Sequence, residues 1–381
     1  MTTTITQPVA REAFPILANS TYLVSHSMGA APTAAKAALD DYWNRWATEG
    51  PEAWETWLPQ IGEIADGIGS IVGALPGSVF LGPNVSVLQA ALATCIDFSG
   101  ERNEVAYEAL QFPSLTYVWR EWERYGAAVR VIPSDDGRTV PTERIVESIT
   151  EKTAIAVLSH AYYVSGAVAD VRTIQAHCRQ VGALLCVDAY QTTGIYPYDV
   201  TEWDLDMATG GSHKWLCGGP GCAWIYVKPS LLQRLRPAVT GWMAHARSFA
   251  FEPAPIELAD SMYRWGNGTP TIPGYAVAKP GHDLIRTIGV ERIREHNVRL
   301  TSKIAAMALE RGLRVNTPLE PQRRTGWIGI DFDGSDRVCR ELVERRIFLD
   351  HRPGCGIRVS PHFYTVDDEI DAFFTALDRL R

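Results

Sequence analysis

Asp188 and Lys214 are the two residues whose settings suggest chemistry. Asp188 directly follows the apolar run Ala183-Leu184-Leu185-Cys186-Val187, where an unpaired carboxylate would be costly. It therefore either caps a loop or pairs with a buried cation. Lys214 lies in Ser212-His213-Lys214-Trp215, between glycines at 210–211 and 218–219. A lysine wedged between an imidazole and an indole is a candidate for a desolvated amine, the form that builds Schiff bases. Other chemistries lack their spacing. Ser-His occurs at 25–26, 159–160 and 212–213, but adjacent residues do not make a catalytic pair. No G-x-S-x-G elbow and no H-E-x-x-H pair is present. The seven cysteines include no C-x-x-C, so neither a disulfide framework nor a metal site is expected.

The elements that must position these residues can be read from periodicity. Short apolar runs at 79–81, 104–107, 128–132, 154–158 and 183–187 alternate with helical patterns at 85–97, 114–125, 141–150 and 171–181. Such alternation predicts an α/β fold with a mainly parallel sheet covered on both faces. Its chemistry belongs at the carboxyl ends of the strands. There the chain carries Gly82-Pro83-Asn84, Gln111-Phe112-Pro113, Ser159-His160-Ala161-Tyr162-Tyr163 and Asp188-Ala189-Tyr190-Gln191. Upstream, Pro32 opens a helix with Ala35, Leu39, Trp43 and Trp46 on one face, predicted to pack in a core or an interface. The glycines at 67, 69 and 73 follow no strand, so they are read as close helix packing and not as a dinucleotide loop.

Taken together, VDAYQTTG (187–194) followed by GGSHKWLCGGPG (210–221) resembles the pyridoxal-phosphate site of the aminotransferase class V family, fold type I. Within it the chain is similar to the kynureninase-like enzymes. The likeness extends to SHSMGAAP (25–32), GWMAHARSFAFEP (241–253), WGNGTPTIPGYA (265–276) and GIRVSPHFY (356–364). It implies a large domain over 47–261 with a seven-stranded-type sheet, and a smaller α/β domain from 1–46 plus 262–381. It implies Lys214 as the Schiff-base lysine and Asp188 on the pyridine nitrogen. Gln191 would meet the ring hydroxyl, and Phe112 would stack on the ring. Val85, Ser86, Ser212 and His213 would hold the phosphate, as helix N-termini do. Trp242 and Thr269 would reach it from the second subunit of a homodimer with shared sites. Arg358 would take the substrate carboxylate, with Ser27 and Tyr162 as further substrate contacts.

Three positions depart from the kynureninase pattern: Leu115, Ala189-Tyr190-Gln191 and His213. The reaction expected is cleavage of an amino-acid side chain at Cβ, by hydrolysis or elimination. Transamination or epimerisation is the first alternative, since Gln191 and His213 are forms found in class V transaminases. A cysteine desulfurase or C–S lyase is another, with Cys355 as the one candidate thiol; a non-catalytic cofactor-binding protein is the last. Composition sets the outer limits. Among 381 residues, 36 Lys+Arg stand against 44 Asp+Glu, a net charge of −8, which argues against a nucleic-acid partner. No apolar run approaches a membrane span. The opening MTTTITQPVAREAFP has no apolar core, so no secretory leader is expected and the address is read as cytoplasmic.

Overall fold

A computed structural model describes residues 11–253 and 255–381; the stretch 1–10, where no leader is expected, lies outside them. The short strand β1 (Thr21–Tyr22) precedes a seven-stranded sheet. Its members are β2 (Val79–Gly82), β3 (Glu104–Glu108), β4 (Ala128–Ile132), β5 (Thr153–Ser159), β6 (Leu184–Asp188), β7 (Met207–Gly211) and β8 (Ala223–Val227). Their order is β2-β8-β7-β6-β5-β3-β4. The strands β4, β3, β5, β6 and β7 run parallel, and β8 is antiparallel to both neighbours. The parallel part needs crossovers, which helices supply. These are α3 (Val85–Ala93), α4 (Pro113–Arg120), α5 (Thr142–Ser148) and α6 (Val171–Val181), preceded in the chain by α1 (Thr33–Glu49) and α2 (Trp54–Val72). All five apolar runs read from the sequence are strands.

Alternation along the central strands builds two cores. Ala156 and Leu158 of β5 face a cluster with Ile64, Ile68 and Leu185. Ile155 and Val157 face the other side, with Leu92, Trp119 and Ile225. A strand buried on both faces cannot show a polar alternation, which is why AIAVL reads as a continuous apolar run.

The C-terminal third begins with α7 (Ile272–Ile288) and α8 (Val290–Glu310), followed by β9 (Arg314–Val315), β10 (Ile328–Asp331), α9 (Ser335–Glu344), β11 (Ile347–Phe348), β12 (Asp350–Arg352), β13 (Gly356–Val359) and α10 (Asp367–Leu380). Strands β12-β13-β10-β9 form an antiparallel sheet over a core of Leu300, Ile304, Leu342 and Phe373. Strand β1 pairs with β11 in a two-stranded sheet of its own, tying the N-terminal arm to the C-terminal third. A fourth cluster joins Phe14 and Leu17 of the arm to Trp215, Ile285, Trp327 and Phe363. Large side chains of this kind contribute roughly 1.5–3 kcal/mol each on burial. They press the segment that carries Lys214 against the C-terminal third.

The helix opened by Pro32 is present as α1, but its expected apolar face is not in the core of this chain. Ala35 is buried, whereas Leu39, Trp43 and Trp46 are 42%, 59% and 56% exposed. No helix among the described residues is long and apolar enough to cross a membrane.

Candidate active site

Five strand ends meet at one cavity of about 240 Å³. The β2 end leads through Asn84 into α3. The Asn84 side chain accepts from the Val87 backbone N–H at 3.0 Å, which caps the helix and leaves the first N–H groups of Val85 and Ser86 at the cavity. The β3 end places Phe112, whose backbone N–H donates to Gln111 Oε1 at 2.8 Å. The β5 end supplies Ser159 and Tyr163, and the β6 end supplies Asp188, Tyr190 and Gln191. The turn after β7 brings His213 and Lys214.

Lys214 Nζ lies over two rings, 4.9 Å from the centre of Tyr190 and 5.5 Å from that of Phe112. Burial brings the ammonium down to about 8, opposed by Asp188 and reinforced by Arg358. Burial pushes the Asp188 carboxyl up to about 6, against a hydrogen bond from the Tyr190 N–H at 3.0 Å and the charge of Lys214. Amine and carboxylate thus share one desolvated pocket. His213 is held near 4 by burial and by Lys214, so its imidazole is neutral beside the Tyr190 ring, 5.3 Å away.

Two glycines make this approach possible. Gly29, in the SHSMG loop, donates its N–H to the His213 carbonyl at 2.8 Å; a Cβ there would lie 2.2 Å from the Lys214 carbonyl oxygen. At Gly211 a Cβ would lie 1.9 Å from the Tyr190 hydroxyl. Tyr190 therefore fills the space that any side chain at 211 would take.

The predicted residues divide. Val85, Ser86, Phe112, Asp188, Gln191, His213 and Lys214 converge on the cavity. Ser212 does not: it is buried, and its hydroxyl bonds His282 Nε2 at 2.8 Å, on the side of α7. Tyr162 turns into the core with its hydroxyl unpartnered, and its neighbour Tyr163 lines the cavity instead. The turn closed by Tyr162 N–H to the Ala167 carbonyl sets that choice. Ser27 is not among the lining residues either; His26 of the same loop is the one that connects to the site. Trp242 packs against Phe249 and Phe251, and Thr269 is exposed, both away from this chain's own cavity. Arg358 stands behind the wall, donating from Nη1 to the Tyr163 carbonyl at 2.9 Å, with Asp350 on its fork. Cys355 is buried, and burial pushes its thiol up to about 12, which leaves it protonated and out of contact with solvent.

One acid was missed. Glu108, at the end of β3, is fully buried; Oε1 accepts from the Ser159 N–H at 2.6 Å, and Oε2 has no partner. Burial lifts it to about 7, opposed by the Ser159 hydrogen bonds and aided slightly by Asp188. The signal was available: like Asp188, it follows an apolar run at a carboxyl end.

The cavity has the fittings of a phosphorylated pyridine aldehyde. It offers a free helix N-terminus for an anion, aromatic faces, a buried carboxylate and a buried amine. Gln191 Oε1, buried without a partner, points to a donor still to come. Residues 84–373 match the family described as Aminotransferase class-V. The chain is 30% identical over 360 residues to an uncharacterized aminotransferase, YcbU, of Bacillus subtilis (strain 168), covering 94% of each chain. It is 27% identical to a kynureninase of Bacillus anthracis, covering 89% of this chain and 83% of that one. Among solved structures it superposes on a cysteine desulfurase from Thermococcus onnurineus NA1 with a TM-score of 0.85 at 18% identity, covering 97% and 96% of the two chains. The cystine C–S lyase C-DES, bound to its product cysteine persulfide, gives 0.85 at 22% identity, covering 96% and 98%. At these identities the structural likeness is one of fold. With sheet order, site layout and family match in agreement, the chain belongs to the aminotransferase class-V family of pyridoxal-phosphate enzymes, fold type I.

Proposed function

We propose that this enzyme binds pyridoxal phosphate through Lys214 and acts on an amino-acid substrate, cleaving its side chain at Cβ. The observation that carries the reading is the Lys214 amine, brought to about 8 by burial and held over Phe112 and Tyr190 beside Asp188. When bound, the cofactor supplies an electron sink for charge that develops on the substrate. The protein does the rest. Asp188 would keep a proton on the ring nitrogen, and the Val85 and Ser86 N–H groups would receive the phosphate. Gln191 Nε2 donates to the His26 carbonyl at 3.3 Å, so the SHSMG loop fixes the side chain that faces the ring hydroxyl. Lys214, brought to about 8 by burial, would serve as the base or acid at Cα, with a pKa suited to proton transfer near neutral pH.

The likeness to kynureninases supports cleavage at Cβ. Burial of Cys355 speaks against a mobile sulfur acceptor. Transamination is the second reading, favoured by the 30% identity to YcbU, whose printed name is aminotransferase. The division into 47–261 and 1–46 plus 262–381 goes with this proposal, supported by the separation of the seven-stranded sheet from the four-stranded one. So does a homodimer in which Trp242 and Thr269 reach the partner's phosphate, supported by neither residue lining this chain's own cavity. The test incubates the holoenzyme with a panel of amino acids. Release of a side-chain fragment without a matching keto acid supports cleavage; conversion of the cofactor to its amine form by the amino acid, with release of the matching keto acid and reversal by added keto acid, replaces it with transamination. Lys214→Ala should abolish the absorbance of lysine-bound cofactor, and its persistence would remove the assignment.

A further inference from the structure

Arg358 is 3% exposed and fully engaged on one side. Strands β12 and β13 pair Asp350 opposite Arg358. The carboxylate takes Nε through Oδ1 at 2.8 Å and Nη2 through Oδ2. The guanidinium also lies over Trp327, 5.5 Å from the ring centre. A guanidinium has five N–H donors. Asp350 uses two and the Tyr163 carbonyl one, so two remain, one on each Nη nitrogen. A second carboxylate is gripped at two points where these two N–H groups share the Nη1–Nη2 edge.

Asp350 is itself held. His26 Nε2 lies 2.8 Å from Oδ1, and His26 Nδ1 lies 2.7 Å from the Ser360 hydroxyl. Burial and the charge of Arg358 bring His26 down to about 3, so the ring is neutral. A carboxylate cannot donate, so Nε2 carries the hydrogen and Nδ1 accepts from Ser360. Burial works against the Asp350 anion, yet its bonds to His26 and Arg358 keep the carboxyl well below its ordinary range. Arg352 adds a second cation 3.5 Å from Oδ2. The His26 backbone carbonyl is the same one that holds Gln191, so this network joins the arginine to the cofactor wall.

We infer that Asp350, braced by His26, is a positioning residue: it occupies the Nε edge of Arg358 and presents the outer Nη edge to the carboxylate of the substrate. The inference rests on the reading of the site as one for amino acids and names the device that sets its carboxylate selectivity.

The test uses two small amines that condense with a bound aldehyde and differ by a carboxylate: aminooxyacetate and methoxyamine. Their dissociation constants for the wild-type holoenzyme are read from cofactor absorbance. Aminooxyacetate should bind at least about tenfold more tightly, as expected for a charge-assisted two-point bond. Arg358→Gln should erase that preference. Asp350→Asn should cut it about fivefold or more, with the loss falling on aminooxyacetate and not on methoxyamine. His26→Gln keeps the ion pair but loses the brace, and should cut it less; this variant also serves if Asp350→Asn fails to fold. A wild-type preference that Asp350→Asn and His26→Gln leave intact or enlarge would overturn the inference, since Asp350 would then be idle or a competing lid. No preference in the wild type would instead overturn the amino-acid reading on which it rests.

Discussion

Lys214 and Asp188 owe their altered acidities to the same cause, and the consequences for stability have opposite signs. Lys214 sits near 8 folded against 10.5 ordinarily. Between those values the unfolded chain carries a proton that the folded chain lacks, so stability rises with pH across that window. Below it the buried ammonium costs on the order of 3 kcal/mol. Lys214→Met should therefore raise the melting temperature of the cofactor-free protein at neutral pH, and the gain should shrink from pH 8 toward 10.5. A gain that is flat with pH would mean that the amine is not desolvated. Asp188 sits near 6 against 3.8. There the folded chain holds the extra proton, so stability falls as pH rises between those values. Asp188→Asn should stabilise the cofactor-free protein at pH 7 yet weaken cofactor binding, a pairing that thermal melts and absorbance titration can read.

At the scale of the element, the site depends on how strand ends are spaced. Strands β6 and β7 are neighbours, so the loop after Asp188 lies directly over the end of β7. Tyr190 fits there because Gly211 has no side chain. Gly211→Ser should push the Tyr190 ring off its place. The expected cost is about 1–3 kcal/mol of stability, typical of overpacking, with weaker cofactor retention. In a double-mutant cycle Gly211→Ser should cost less in a Tyr190→Ala background than in the wild type, because the clash is then gone. Equal melting temperatures for the wild type and Gly211→Ser would show that the contact is not tight.

On the scale of the whole molecule, the unburied aromatics are the outstanding feature. Trp43 and Trp46 on α1, and Phe249 and Phe251 near Trp242, are 56–68% exposed. Contiguous apolar surface of this kind marks an interface, and the proposed homodimer would cover it. Trp43→Glu/Trp46→Glu should convert a wild-type dimer to monomer by sedimentation and loosen the cofactor. A wild-type protein that sediments as a monomer while keeping its cofactor would end the shared-site proposal.

The chain's own order of residues determined the parallel sheet and the strand ends that carry Phe112 and Asp188. Those features are local: each rests on an apolar run and the residues just after it, so spacing reveals them. The tertiary structure decided what lies across gaps in sequence. It turned Tyr162 inward and Tyr163 outward, because one loop bond to Ala167 sets that turn. It sent the Ser212 hydroxyl to His282, a residue on a distant helix. It left the α1 tryptophans uncovered by this chain, although their helical period reads the same in a core as on an interface. It placed Asp350 on Arg358 through the register of β12 and β13 and bound His26 to both. Periodicity tells which face of an element is apolar; what that face or that side chain meets is settled only when distant segments pack.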